Sequence, residues 1–182
     1  MVVKNSSIKN SNIHHLGFGP LVVSDCQIEN VKINNEVLFV SGCSFNNVKL
    51  KGYFPATKFY NAPFFQSYSE KFSREIECDN TEKYKQIKLA LDQSEAKFDE
   101  VIIVGIPKEK IIHSKDMFSL NVPLISVSEL ELNFPDQWMP FLVIFPKDEP
   151  GKDIVFSLNS VGLDQEKFQN DVMHLKSRKI IL

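Results

Sequence analysis

The strongest constraint on this chain is a motif that recurs four times near its N-terminus. The segments SSIKNSNIHH (Ser6 to His15), CQIENVKINN (Cys26 to Asn35), CSFNNVKLKG (Cys43 to Gly52) and TKFYNAPFFQ (Thr57 to Gln66), set one under another, share columns. Ile8, Ile28, Phe45 and Phe59 form an apolar column, and Ile13, Ile33, Leu50 and Phe64 form a second five residues later. Between them runs an asparagine column of Asn10, Asn30, Asn47 and Asn61. Recurrence of this kind marks stacked units, each burying its apolar face against the next. Matched positions lie 20, 17 and 14 residues apart, a drift that excludes a heptad or other helical repeat. Short straight faces joined by corners accommodate the drift, because a corner can shorten without disturbing the stack.

Within each segment the local period is five. A small or compact residue stands two positions before each apolar centre: Ser6, Cys26, Cys43 and Thr57, then Ser11, Val31, Val48 and Ala62. Both sets are expected to face the interior. A third face is offered by MVVKN, LVVSD and LFVSG, centred on Val3, Val23 and Val40. This unit resembles that of the pentapeptide-repeat family, closely in CQIEN, VKINN, CSFNN and VKLKG and more loosely in SSIKN, SNIHH, TKFYN and APFFQ. The resemblance covers Met1 to Gln66. It implies a right-handed parallel β-helix of about four irregular coils, a stack on the order of 20 Å tall. Asparagine suits the corners of such a stack, since it tolerates left-handed backbone and hydrogen-bonds locally. Some members of that family mimic DNA as long, strongly acidic rods. Here Lys4, Lys9, Lys32, Lys49, Lys51 and Lys58 outnumber Asp25, Glu29 and Glu36, so DNA mimicry is not expected.

An open stack exposes strand edges that must be covered. Asp79 to Phe98 reads as a covering helix: Asp79 and Glu82 have capping-box spacing, and Tyr84, Ile87, Leu91 and Phe98 fall on one helical face. Phe54, Phe59, Tyr60, Phe64, Phe65, Tyr68 and Phe72 crowd the approach and read as a core junction. The apolar run Val101 to Gly105 reads as a strand buried on both faces. A helix over Pro107 to Leu120 and a strand over Val122 to Val127 complete a βαβ-like unit. Phe141 to Phe145 and Ile154 to Leu158 read as a hairpin around Pro150 and Gly151, followed by an amphipathic helix over Leu163 to Lys176 and a strand over Lys179 to Leu182. The expected fold is therefore α+β: a short β-helix over residues 1–66, an aromatic junction and capping helix over 67–98, and a small α/β domain over 99–182.

The composition, 43% hydrophobic and 24% charged, is that of an ordinary soluble domain. Apolar runs such as Phe141 to Phe145 are too short to span a bilayer, and Met1 to Gly19 lacks a signal-peptide core; a cytoplasmic protein with no membrane partner is expected. A net charge of −2 lacks the strong positive field of a nucleic-acid binder. Cys26, Cys43 and Cys78 form no CxxC pair, and His14 and His15 are adjacent residues that point apart in an extended chain, so no metal is expected. The turn GIPKEK lacks the glycines and terminal Lys-Ser/Thr of a phosphate loop, and no GxSxG or HExxH occurs; no cofactor and no catalytic residue are expected. The turn holding Asp148, Glu149 and Asp153, interleaved with Lys147 and Lys152, is the candidate partner-binding segment. The reading is a non-catalytic protein-binding protein, a bacterial immunity or antitoxin-type inhibitor that neutralises a basic nuclease-type toxin. Two alternatives stand beside it. One is a small enzyme with its site in the C-terminal α/β domain near Asp99, His113 and Trp138. The other is a structural module that forms a homodimer through the N-terminal end of the stack.

Overall fold

The computed structural model describes residues 1–13, 17–33, 37–63, 68–114, 117–119, 154–158 and 165–178. It is an α+β structure with parallel sheets. The first sheet holds β1 (Val2–Lys4), β4 (Val22–Ser24) and β7 (Ser44–Asn46), in that order. The second holds, from one edge to the other, β2 (Ser7–Ile13), β5 (Gln27–Ile33), β8 (Val48–Phe54), β10 (Leu91–Phe98) and β12 (Ile111–Ile112). The third runs through β3 (Gly17–Phe18), β6 (Leu38–Ser41), β9 (Thr57–Tyr60), β11 (Glu100–Val104), β14 (Ile154–Leu158) and β13 (Phe118–Ser119). From β1 to β9 the chain visits the first, second and third sheets in turn, three times over, and every strand pair so made is parallel.

Register corrects the sequence columns. Val3 pairs with Val23 and Val23 with Phe45 in the first sheet. Ile8 pairs with Ile28 and Ile28 with Leu50 in the second. Phe18, Val40, Phe59 and Ile103 follow one another in the third. Phe45 therefore belongs with Val23 rather than with Ile28, and Val40 with Phe59 rather than with Val23. The true repeat is nearly constant, 20 residues from Asn10 to Asn30 and 22 from Asp25 to Asn47. The apparent drift arose because a small-x-apolar pattern looks alike on every face, so an alignment slides from one sheet to the next without losing its apolar match.

The inward side chains of the three sheets meet in one cluster that includes Val23, Val31, Leu38, Phe45, Leu50 and Phe59. Phe45 and Phe59 cross edge to face with centroids 5.7 Å apart, tying the first sheet to the third. Phe54 and Phe98 stack at 5.1 Å between β8 and β10. Asn5, Asp25 and Asn47 turn the chain from the first sheet to the second, while Asn10 and Asn30 kink β2 and β5 from within; all five have left-handed backbone, with φ between 49° and 54°. Asparagine and aspartate bear this conformation at least expense among non-glycine residues.

The helix of the sequence reading lies earlier than expected. α1 spans Glu70–Gln86, its N-terminus capped by Ser69, whose side chain accepts from the Phe72 N–H at 3.2 Å. Asp79 and Glu82 sit inside it, and Leu91 to Phe98 is the strand β10. In β10 the buried residues Leu91, Gln93, Ala96 and Phe98 alternate with exposed ones, with a bulge between Asp92 and Glu95. A bulged period of two imitates a helical period over eight residues, which is why the pattern misled. The cover is nonetheless physical. The Tyr84 hydroxyl accepts from Phe45 N–H and donates to the Cys43 carbonyl, both at 3.4 Å, and Asn80 donates to the carbonyls of Gly42 at 3.2 Å and Asn61 at 2.7 Å. α1 thus satisfies polar groups along the last strand of the first sheet.

Beyond α1 the second and third sheets continue, so they run past residue 66. β10 lies parallel beside β8, and β11 lies parallel beside β9. β11 is buried on both faces as expected, with Val101 and Ile103 at 0% exposure. The expected helix over 107–120 is not present: Lys108–Lys110 forms one 3-10 turn, and β12 and β13 follow. The βαβ-like unit fails with it, since β11 pairs antiparallel with β14. The strand at Ile154–Leu158 is present, and α2 (Gln165–Ser177) matches the predicted C-terminal helix, with Val172 and Leu175 buried. The expected strands at 122–127, 141–145 and 179–182 lie outside the described residues.

Candidate interaction surface

The outward face of the second sheet carries an ordered row of charge. Lys9 pairs with Glu29, Glu29 with Lys51 and Lys51 with Glu95, so the sign alternates from strand to strand. Lys9 Nζ lies 3.5 Å from Glu29, and Lys51 Nζ lies 3.2 Å from Glu95, which also accepts from Lys49. The hydrogen bond to Glu95 raises the Lys49 ammonium above its ordinary pKa; the bonds from Lys49 and Lys51 lower the Glu95 carboxyl below its own. Farther along, the Tyr53 hydroxyl donates to Asp99, and this bond raises the phenol. Exposed pairs each contribute about 0 to 1 kcal/mol. Their larger effect is on register, because a slip of one residue would turn each outward charge toward the core.

Two ladders flank this row. Asn30 donates to the Asn10 side-chain oxygen at 3.1 Å, while its own oxygen accepts from Tyr53 N–H at 2.9 Å. Asn47 donates to Asp25 at 2.9 Å. The next position after Asn10 and Asn30 is Gly52, with φ of 74°, where an added Cβ would stand 2.0 Å from the Asn30 oxygen. A shallow groove along the corner is lined by Ser7, Asp25, Asn47 and Lys49.

At the start of the stack the pattern changes from polar to apolar. β1, β2 and β3 each form an edge of their sheet. Ile8 continues the core row of Ile28 and Leu50, yet it is 43% exposed against 2% for Leu50. At the first sheet, Met1 and Val2 are 85% and 57% exposed. Apolar side chains next to unpaired strand edges form a surface able to take another protein segment.

Of the residues singled out from sequence as a candidate enzyme site, the two described ones, Asp99 and His113, are not brought together. Asp148, Glu149, Asp153, Trp138, His14 and His15 lie outside the described residues. Asp99 follows the end of β10, whereas His113 follows β12, which pairs with the beginning of β10, so the two stand at opposite ends of that strand. His113 is exposed, with Nδ1 3.2 Å from the Ser114 carbonyl. Cys26 and Cys43 are buried, and their thiols donate to the Ser24 and Ser41 carbonyls at 3.0 and 3.8 Å. Burial pushes the Cys43 thiol up to about 11, away from thiolate chemistry. Cys78 is exposed on α1. Among the described residues no three His, Cys, Asp or Glu side chains are grouped as a metal site, and no described helix is long and apolar enough to cross a membrane.

Sequence reasoning passed over Gln93, which is fully buried with both amide atoms unpartnered, a state that a residue inside a bulge does not announce. Comparison of the chain with protein-family models, with curated proteins and with solved structures finds no match.

Proposed function

We propose that the chain is a non-catalytic protein-binding protein built on a short right-handed parallel β-helix akin to the pentapeptide-repeat solenoids, and that its specific form is an immunity-type inhibitor of a toxin. The observation that carries the binding role is the apolar open end, where Ile8, Val2 and Met1 are exposed beside the edges of β1 and β2. Because Ile8 and Val2 are already about half buried, covering them against a partner gains only part of the roughly 1.5 to 3 kcal/mol of a fully exposed apolar side chain. The cyclic visiting of three parallel sheets, joined in one core, supports the β-helix. The toxin as partner is supported by the sequence segment with Asp148, Glu149 and Asp153, three carboxylates of a chemistry that suits a basic partner. The test is direct binding between this chain and the product of the adjoining reading frame, followed by calorimetry. Tight one-to-one binding is expected, weakened at least tenfold by Ile8→Asp in a variant whose melting temperature is unchanged. No binding by the neighbour, or full affinity in Ile8→Asp, overturns the respective half of the proposal.

A further inference from the structure

The open edge of the second sheet specifies the chemistry of what docks there. Along the outward row each charge has neighbours of opposite sign, but Lys9, at the edge, has Glu29 on one side alone, and its side chain is 58% exposed. The inward positions of β2 include Ile8 and Ser11, which pair with Ile28 and Val31 on β5. Among the described residues β2 pairs only with β5, and no described strand bonds the N–H and C=O groups of its other edge, which have the geometry to take a further strand. We propose that this edge is a docking site for an extended segment of a partner protein, added parallel to β1 and β2, with a carboxylate opposite Lys9 and an apolar residue opposite Ile8. The proposal rests on the binding-protein reading and names the partner's chemistry.

β5 shows what fits beside β2. Its sequence QIENVKI sets Ile28 on Ile8, Glu29 on Lys9 and the Asn30 amide on Asn10. A strand on the opposite edge meets the same side-chain rows. A second copy of this chain fits less well. Two-fold pairing runs antiparallel, and with its axis at Asn10 it sets Lys9 opposite Ser11 and Ile8 opposite Asn12. Lys9 then gains no acid. The kink at Asn10, where φ is 49°, also places the core-row Ile8 against the outward Asn12.

The test is a titration of the isotope-labelled chain with a synthetic peptide of residues 22–33 carrying Cys26→Ser, read by amide chemical shifts, beside the same peptide with Glu29→Lys. Shifts confined to residues 2–4 and 7–13 are expected, with the glutamate peptide bound up to about fivefold more tightly, the upper range of one cross-strand charge pair. The variant Lys9→Glu should reverse that preference. Equal affinities, or no shifts at these residues up to millimolar peptide, overturn the proposal. So does sedimentation showing a dimer indifferent to Lys9→Glu, which would make a second copy the occupant. If the peptides fail while Ile8→Asp still abolishes binding to the partner, the strand specification falls and the binding-protein reading stands.

Discussion

Single residues at the corners set how closely the circuits stack. Gly52 and Gly105 have φ of 74° and 79°, and an added Cβ would stand 2.0 Å from the Asn30 oxygen and 2.3 Å from the Asn61 oxygen. Gly52→Ala should therefore cost about 2 kcal/mol or more in denaturant unfolding, from backbone strain plus the displaced Asn30 amide. Gln93 predicts the opposite sign. Its buried amide lacks partners, so Gln93→Leu should raise stability by about 1 to 2 kcal/mol in the same measurement, whereas a loss would show that the amide is satisfied in solution. Alkaline pH tests the core in another way. Burial pushes Cys43 up to about 11 and, with a lesser push from Glu100, Tyr60 up to about 12, against ordinary values of 9.0 and 10.0. Both groups hold their protons longer when folded. Their contribution is thus full below pH 9 and is lost as pH rises through the folded values, so unfolding free energy should fall between about pH 9 and 12. The fall should be smaller in Cys43→Ala, Tyr60→Phe. The corner asparagines were legible in the sequence because their preference for left-handed backbone is local; Gln93 was not, because its burial follows from a bulge set by the neighbouring strand.

Among the elements, α1 and β10 divide what sequence could and could not show. The need for a cover was legible from exposed strand edges, but its position was not, because Leu91 and Phe98 satisfy a helical period and a bulged strand period alike. Ser69 was the usable signal, a serine directly before Glu70 at the start of the helix. Tyr84→Phe should cost about 1 to 2 kcal/mol in thermal or denaturant unfolding, since one hydroxyl serves both Phe45 N–H and the Cys43 carbonyl on the first sheet. An unchanged stability would mean that α1 is held by apolar contact alone. β11, β14 and α2 were read correctly because long apolar or strongly periodic runs leave little choice. After β11 the structure departs from the helix expected over Pro107 to Leu120: Pro107 precedes a single 3-10 turn.

Over the whole molecule, the alternating charges of the second sheet should act as one coupled row. Glu95 titrates below ordinary glutamate because Lys49 and Lys51 both bond to it. Its contribution to stability is present above the ordinary glutamate range and is lost as pH falls through the lowered value. An NMR titration should show the Glu95 pKa moving back up in Lys49→Gln and further in the double variant with Lys51→Gln; no movement would mean the pairs are open in solution. The candidate surface was half legible: stacked parallel strands imply exposed edges, while the alternating sign of the outward row emerges only once register is known. One earlier feature bears on how such a molecule can be altered. β8 and β10 are hydrogen-bonded neighbours, although α1 separates them along the chain. The stack therefore closes over the excursion, which is held by the bonds of Asn80 to Gly42 and Asn61 and of Tyr84 to Phe45. The solvent side of α1 is then an exchangeable panel on a fixed frame, the place where a new recognition sequence can be grafted without rewriting the repeat.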